Sequence, residues 1–405
     1  MKFQIFYPCL VLLFAGCDKG TDNPIACFET PLEMGTTIEV GEEFLCFNCS
    51  VNATSYLFDF GDGTSNSTGL HTYQAAGTYN IILTAINDEG RDTQSKSVFI
   101  PDNQWEVYGE GINGPVNAMI VFQDELFVGG QFTSAGGVSV NNIAKWDGLK
   151  FESVGEGITG IIYAMVIFND ELYAAGNFNS FYNIRKWNGS SWSKTFVTSN
   201  YPTILSLATF NNKLYLGGKV LEEWDGINQP PLVTDPFENR KIYSLCVFDS
   251  KLYIGGVLKA SSGFGSPNLE ALNANGLTNS FTFDDLGVTA LFVFANKLFI
   301  AGPYNEIFEM INSEFKAVAN YGNLGVVHTL SKFKSDLIAG GYFSSIEGGR
   351  KSNNIAKWDG NTWIKMGAGV NGAVYTTAEY KNKLYVGGLF TSAGGLSTNN
   401  IATWH

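Results

Sequence analysis

Along most of the chain, short apolar runs alternate with two-residue polar turns. One unit recurs: an apolar strand, a turn, then a second strand ending on small residues. Seven copies of that ending can be read, Leu126-Phe-Val-Gly-Gly130, Leu172-Tyr-Ala-Ala-Gly176, Leu214-Tyr-Leu-Gly-Gly218, Leu252-Tyr-Ile-Gly-Gly256, Leu298-Phe-Ile-Ala-Gly302, Leu337-Ile-Ala-Gly-Gly341 and Leu384-Tyr-Val-Gly-Gly388. They start 46, 42, 38, 46, 39 and 47 residues apart. A period of roughly 40 to 50 residues made only of strands predicts propeller blades. The clearest copy has a first strand over 116–122, a Gln123-Asp124 turn, a second strand over 125–130, a third from Asn142 to Trp146, an Asp147-Gly148 turn and a fourth reaching Val154. Glycines closing each second strand suit a crowded position near the central channel. The chain stops at Trp404-His405 on a third strand, whereas Gln104–Gly109 repeats the fourth-strand pattern of Thr362–Gly367. The first strand is therefore expected to complete the last of seven blades, which pairs two otherwise exposed edges. Upstream, six or seven short strands separated by turns such as Gly61-Asp62-Gly63 predict a β-sandwich.

The expected fold is thus all-β, an Ig-like β-sandwich over 25–101 and a seven-bladed β-propeller over 103–405. Composition narrows the function classes. With 45% hydrophobic residues the chain can bury a core. Its 38 acids against 25 bases, a formal net charge of −13, exclude nucleic acid as the partner.

Residues 1–16, MKFQIFYPCLVLLFAG, are too short to span a bilayer and read as a signal peptide. Ala15-Gly16 before Cys17 resembles a bacterial lipobox, although Phe14 stands where that motif favours Leu. The resemblance implies acylation of Cys17, a tether over 17–24 and a lipoprotein at the outer membrane or cell surface. An ordinary signal peptide with an incidental cysteine is the alternative. Export implies an oxidising compartment. If Phe44 faces the core, alternation buries Cys46 and leaves Cys49 free to meet Cys27. That makes Cys27 and Cys49 the expected disulfide, while Cys246, in an apolar strand, reads as a small core residue. A Cys46–Cys49 metal or redox pair finds no second pair or nearby His.

Tyr56-Leu-Phe-Asp-Phe-Gly-Asp-Gly-Thr64, His71-Thr-Tyr73, Ala76-Gly-Thr-Tyr79 and Ile81-Ile-Leu-Thr84 resemble the PKD domain pattern, with Phe58 where the family usually has Trp. The resemblance implies a spacer or interaction module of an extracellular protein. Asp59 and Asp62 read as an outward strand residue and a turn residue, and His71 as packed or hydrogen-bonded at the start of its strand. The repeats resemble kelch-like β-propellers, and the phrase GGxFTSAGGxSxNNIAxW resembles repeats of bacterial surface proteins.

In a propeller, the loops between second and third strands share one face with those leading to the next blade's first strand. On blades 6, 7 and 1, which ring closure makes neighbours, this face is rich in Asn, Ser, Thr and Gly. The candidate binding residues are Asn113, Phe132, Ser134, Asn141, Asn142, Phe343, Asn353, Asn354, Asn371, Phe390, Ser392, Asn399 and Asn400. Such small polar groups suit sugar hydroxyls or a peptide backbone, and they equally suit turn capping and positive φ. Trp146, Trp187, Trp224, Trp358 and Trp404 recur at one blade position and read as inter-blade packing. Catalysis finds little footing. His71, His328 and His405 are scattered, so no triad forms. The acids Asp124, Glu125, Asp170, Glu171 and Asp249 repeat at a hairpin, and Asp359-Gly-Asn-Thr-Trp363 lacks the residue a sialidase Asp-box places between Asp and Gly. No catalytic residue, metal ligand or cofactor is assigned. The expectation is a membrane-anchored, non-catalytic head for a glycan or surface protein. Its rivals are a propeller polysaccharide lyase or glycosidase and a purely structural envelope component.

Overall fold

A computed structural model describes residues 23–34, 38, 43–100, 105–178, 183–195, 203–227, 240–258, 268–281, 287–303, 306–311, 314–320, 325–346 and 350–405. Residues 1–16, expected as a signal peptide, Cys17, most of the expected tether and Gln104 lie outside them. The described residues hold no α-helix and one 3₁₀ turn, Pro31–Met34, so the fold is all-β. Contacts divide the chain into two compact units, Met1–Ile100 and Pro101–His405.

The first unit is an Ig-like sandwich. Its main sheet runs Ser65–Asn66, Ser55–Asp59, Gly77–Asn87, Gly90–Ile100, and the facing layer comprises Glu43–Leu45 with Leu70–Thr72 and Phe28–Glu29 with Phe47–Asn48. Two of these strands are eleven residues each, joined by the Asp88-Glu89 turn, longer than the short strands the turn spacing suggests. Alternate residues Ile81, Leu83 and Ala85 point inward and are fully buried. Phe58 fills the expected aromatic place. Its ring meets Phe28 edge-on at 5.7 Å and lies parallel to Phe60 at 6.1 Å. Phe44 and Cys46 are buried, Cys49 turns away, and Cys27 and Cys49 form a disulfide.

The second unit is a propeller of seven blades. The first strands are Val116–Phe122, Ile161–Phe168, Ile204–Phe210, Lys241–Phe248, Ala290–Phe294, Val326–Phe333 and Ala373–Tyr380. Each touches the next cyclically, the seventh returning to the first, which closes a ring around a central channel. Within a blade the strands pair antiparallel, in chain order except for the outer strand of blade 7, and blade 3 shows three strands among the described residues where the others show four. Six of the seven turns after the first strands have positive φ at both central residues, for example Gln123 and Asp124, Asn169 and Asp170, Asn211 and Asn212, while in blade 6 only Lys334 does. This is type I′ geometry, whose twist matches that of the flanking strands. The acids there are turn residues.

Second strands such as Leu126–Gly130 are buried throughout rather than alternately, because neighbouring strands cover both edges and neighbouring blades both faces. The terminal glycines answer two separate demands. A Cβ on Gly129 would lie 2.8 Å from Ile162 of the next blade, and one on Gly130 would run into the carbonyl of Pro115 in its own. Ring closure uses the same device, since a Cβ on Gly387 of blade 7 would lie 2.5 Å from Val116 of blade 1. The last blade takes its outer strand from the start of the unit. Trp105 pairs with Trp404 and Glu106 with Thr403.

The blade tryptophans are packing residues. Trp146 Nε1 donates to Tyr385 Oη of blade 7 at 2.9 Å, Trp224 meets Tyr173 of blade 2 at 5.9 Å, and Trp358 meets Phe299 of blade 5 at 5.3 Å.

Candidate functional site

The loops joining second to third strands contain small hairpins that strand periodicity does not reveal: Ser134–Ala135 with Val138–Ser139, and Ser392–Ala393 with Leu396–Ser397. Their turns are Gly136-Gly137 and Gly394-Gly395, all at positive φ. A Gly-Gly pair between short runs is the local signal that finds them.

Each hairpin is welded to the loop entering its own blade, and the Asn-Asn pair after it bonds the loop entering the next. Between blades 7 and 1, Ile112 N donates to Asn399 O at 2.8 Å, Asn113 N to Ser134 O at 3.1 Å, and Gly136 N to Gly111 O at 2.7 Å. The junction of blades 6 and 7 repeats this through Val370 N to Asn353 O at 3.1 Å, Asn371 N to Ser392 O at 3.1 Å and Gly394 N to Gly369 O at 2.8 Å. From blade 1 to blade 2, Ile158 N donates to Asn141 O at 2.9 Å. The face is therefore a continuous hydrogen-bonded belt over blades 6, 7, 1 and 2.

Its asparagines serve the belt. The second Asn of each Asn-Asn pair sits at positive φ and joins two loops. Asn400 Oδ1 accepts from Phe390 N at 3.1 Å and its Nδ2 donates to Ile112 O at 2.7 Å. Asn142 does the same with Phe132 N and Ile158 O, and Asn354 with Phe343 N and Val370 O. The first Asn of each pair reaches the same entry loop. Asn399 donates to Glu110 O, Asn353 to Ala368 O and Asn141 to Glu156 O. Asn113 and Asn371 each accept from two backbone amides and donate to Thr133 or Thr391 Oγ1 at 2.9 Å. Phe132, Phe343 and Phe390 are 3–4% exposed and belong to the core, so they offer no stacking surface to a ligand. Ser134 and Ser392 are half-buried, and their hydroxyls make no hydrogen bond among the described residues. The face brings its candidates together, with most of their polar atoms already engaged.

The repeated acids of the blades lie elsewhere. At the opposite, hairpin end, Lys145 pairs with Glu125 at 2.8 Å, Lys186 with Glu171 at 2.9 Å, Lys213 with Glu223 at 2.7 Å, Lys297 with Glu309 at 2.7 Å, Lys357 with Asp336 at 3.1 Å and Lys383 with Glu106 at 2.6 Å. No group of three or more His, Cys, Asp or Glu fit to hold a metal occurs among the described residues. His71 stacks on Phe60 at 4.1 Å and pairs with Asp62 at 2.9 Å, a partner that the turn reading of Asp62 alone misses. His405 pairs with Glu106 at 2.8 Å. Burial pushes the Cys46 thiol up to about 12 and that of Cys246 to about 11, so both stay protonated at neutral pH. Cys246 is half-buried on a first strand rather than enclosed in the core.

Comparison with known proteins fits these two units. Residues 28–100 match the PKD domain. Among curated proteins none matches the chain. Of solved structures, the computationally designed Ika8 protein superposes with a TM-score of 0.50 at 13% identity, over 75% of this chain and 100% of that one. A quinonprotein alcohol dehydrogenase-like protein from Bacteroides thetaiotaomicron gives 0.44 at 11% identity, over 82% of this chain and 94% of its own. At such identities the likeness to Ika8 is one of fold alone. The PKD match falls within the first unit, which also carries the Cys27–Cys49 disulfide.

Proposed function

We propose that the chain is an exported lipoprotein, anchored by lipid on Cys17 at the outer membrane or cell surface, whose propeller is a non-catalytic binding head for a glycan or surface protein. The PKD match and the Cys27–Cys49 disulfide support an extracellular setting, since such bonds persist in oxidising compartments. The observation that carries the binding reading is the belt across blades 6, 7, 1 and 2. It holds exposed Asn, Thr and Gly groups in fixed positions, which lowers the ordering cost of association. Against a lyase or glycosidase stands the pairing of the repeated acids with lysines at the other end of the blades, away from that belt.

Two measurements test the proposal on the full chain. Metabolic labelling with radioactive palmitate is expected to mark the wild-type protein in the membrane fraction, whereas Cys17→Ala loses both label and membrane association. Anchoring is refuted by an unlabelled wild-type chain. The detergent-solubilised protein is expected to bind a glycan or a surface protein saturably without cleaving polysaccharide. Steady release of new reducing ends or unsaturated sugars would instead establish the enzymatic reading.

A further inference from the structure

Six of the seven first strands carry the same irregularity. Their register against the second strand shifts between Val116 and Ala118, Ile162 and Ala164, Ile204 and Ser206, Ile242 and Ser244, Val327 and Thr329, Val374 and Thr376. One residue in each is left without a partner, a β-bulge, and bulges re-aim side chains. The bulged residues are Asn117, Tyr163, Leu205, Tyr243, His328 and Tyr375, and Thr289 holds the equivalent place on blade 5. All are partly exposed. A first strand is covered by its second strand along one edge and by neighbouring blades on both faces, so the solvent these residues see is that of the central channel. The bulges fall at the start of the first strands, hence at the channel mouth on the belt side.

Neighbouring blades place these groups side by side. The His328 and Tyr375 rings meet edge-on at 5.3 Å. Asn117 Nδ2 donates to Ile162 O of the next blade at 2.9 Å, and Thr289 Oγ1 donates to Val327 O of the next. By contrast the phenol groups of Tyr163, Tyr243 and Tyr375 and the imidazole of His328 make no hydrogen bond among the described residues. The seven positions hold no Asp, Glu, Lys or Arg. Further along the strands stand half-buried Met119, Met165, Leu207 and Leu245. Burial lowers the pKa of His328 and keeps its ring neutral at pH 7.

We propose that this ring is a binding site for the terminal residue of a neutral saccharide. Aromatic rings offer faces to the C–H surface of a sugar, and their hydroxyls, with a neutral imidazole, offer directional partners to its hydroxyl groups. An uncharged ring gives a phosphorylated or sulfated sugar no counter-ion, and the apolar wall beyond it favours no second polar group. The proposal rests on the binding-head reading and moves the specific contact from the belt to the channel mouth.

The test is an array of neutral and anionic glycans probed with the detergent-solubilised full chain, followed by titration of the best neutral oligosaccharide. Tyr163→Phe, Tyr243→Phe and Tyr375→Phe keep the ring shapes and are expected to weaken binding about 3- to 10-fold each. Tyr375→Ala is expected to cost more than about tenfold, with an unchanged melting curve confirming the fold. Lys150→Ala, exposed at the hairpin end of blade 1 opposite the belt, should leave the affinity unchanged. Should neutral saccharide bind wild type and all ring variants equally, the ring is overturned and the binding head stands. Selective capture of anionic glycans, or of a surface protein only, likewise overturns the ring and keeps the head. Absence of any saccharide or protein ligand overturns both.

Discussion

At the scale of single residues, the Asn-Asn pairs show how one side chain can hold a propeller face together. Asn400 is buried, sits at a φ of 60° and bonds both its own blade at Phe390 N and the next at Ile112 O. Asn tolerates the left-handed region better than other side chains and has both a donor and an acceptor to give. Removing the amide leaves a buried N–H and a buried C=O without partners, so Asn400→Ala is expected to destabilise the propeller by about 2–3 kcal/mol. Ser392→Ala, whose hydroxyl is unbonded, should stay within about 0.5 kcal/mol. Equilibrium urea unfolding of the two variants checks this, and equal midpoints would refute the role given to Asn400.

At the scale of elements, the blade is legible because its signals are local. Apolar strand, two-residue turn and terminal glycine pair all lie within about 15 residues and locate the first and second strands of blade 1 to the residue. The closing strand is legible for the same reason, Trp105 and Trp363 heading similar runs. The bulges are not, because a bulge is a relation between two strands. Aligned, however, the first strands show a column of Asn117, Tyr163, Leu205, Tyr243, Thr289, His328 and Tyr375 after a β-branched residue. The candidate residues lie on the loops of one face, but their pairing across blades depends on ring closure and cannot be read from one repeat. The closing strand also carries a pH dependence. Glu106 loses some hydration, which raises its pKa, but Lys383 and Tyr108 hydrogen bonds and the charges of His405 and Lys383 outweigh this and hold it below the usual carboxylate range. A depressed folded pKa means that its contribution is full above the unfolded value near 4.5 and disappears as pH falls through the folded one. Melting temperatures of wild type and Glu106→Gln should therefore differ at pH 6 and converge as the pH drops below about 4. A constant gap across that range would refute it.

At the scale of the whole molecule, the two units have separate cores. Phe28, Phe44, Phe58, Phe60, Tyr73, Ile81 and Leu83 form one cluster confined to the first unit, and the blade clusters draw only on the second. The disulfide closes a 22-residue separation within the first unit alone. By the loop-entropy relation, a cross-link of that span stabilises its own unit by about 3 kcal/mol, chiefly through the unfolded state. The propeller contains no disulfide among its described residues and is closed by strand pairing between Trp105-Glu106 and Thr403-Trp404. Calorimetry of the full chain should accordingly resolve two transitions. Mild reduction is expected to lower the one belonging to the PKD module by several degrees and to leave the other in place. Deleting residues 105–108 should do the reverse, lowering only the propeller transition, because it strips the outer strand from blade 7 and exposes an edge. A single transition that moves with either change would mean that the units unfold as one and would refute the independence inferred from their cores.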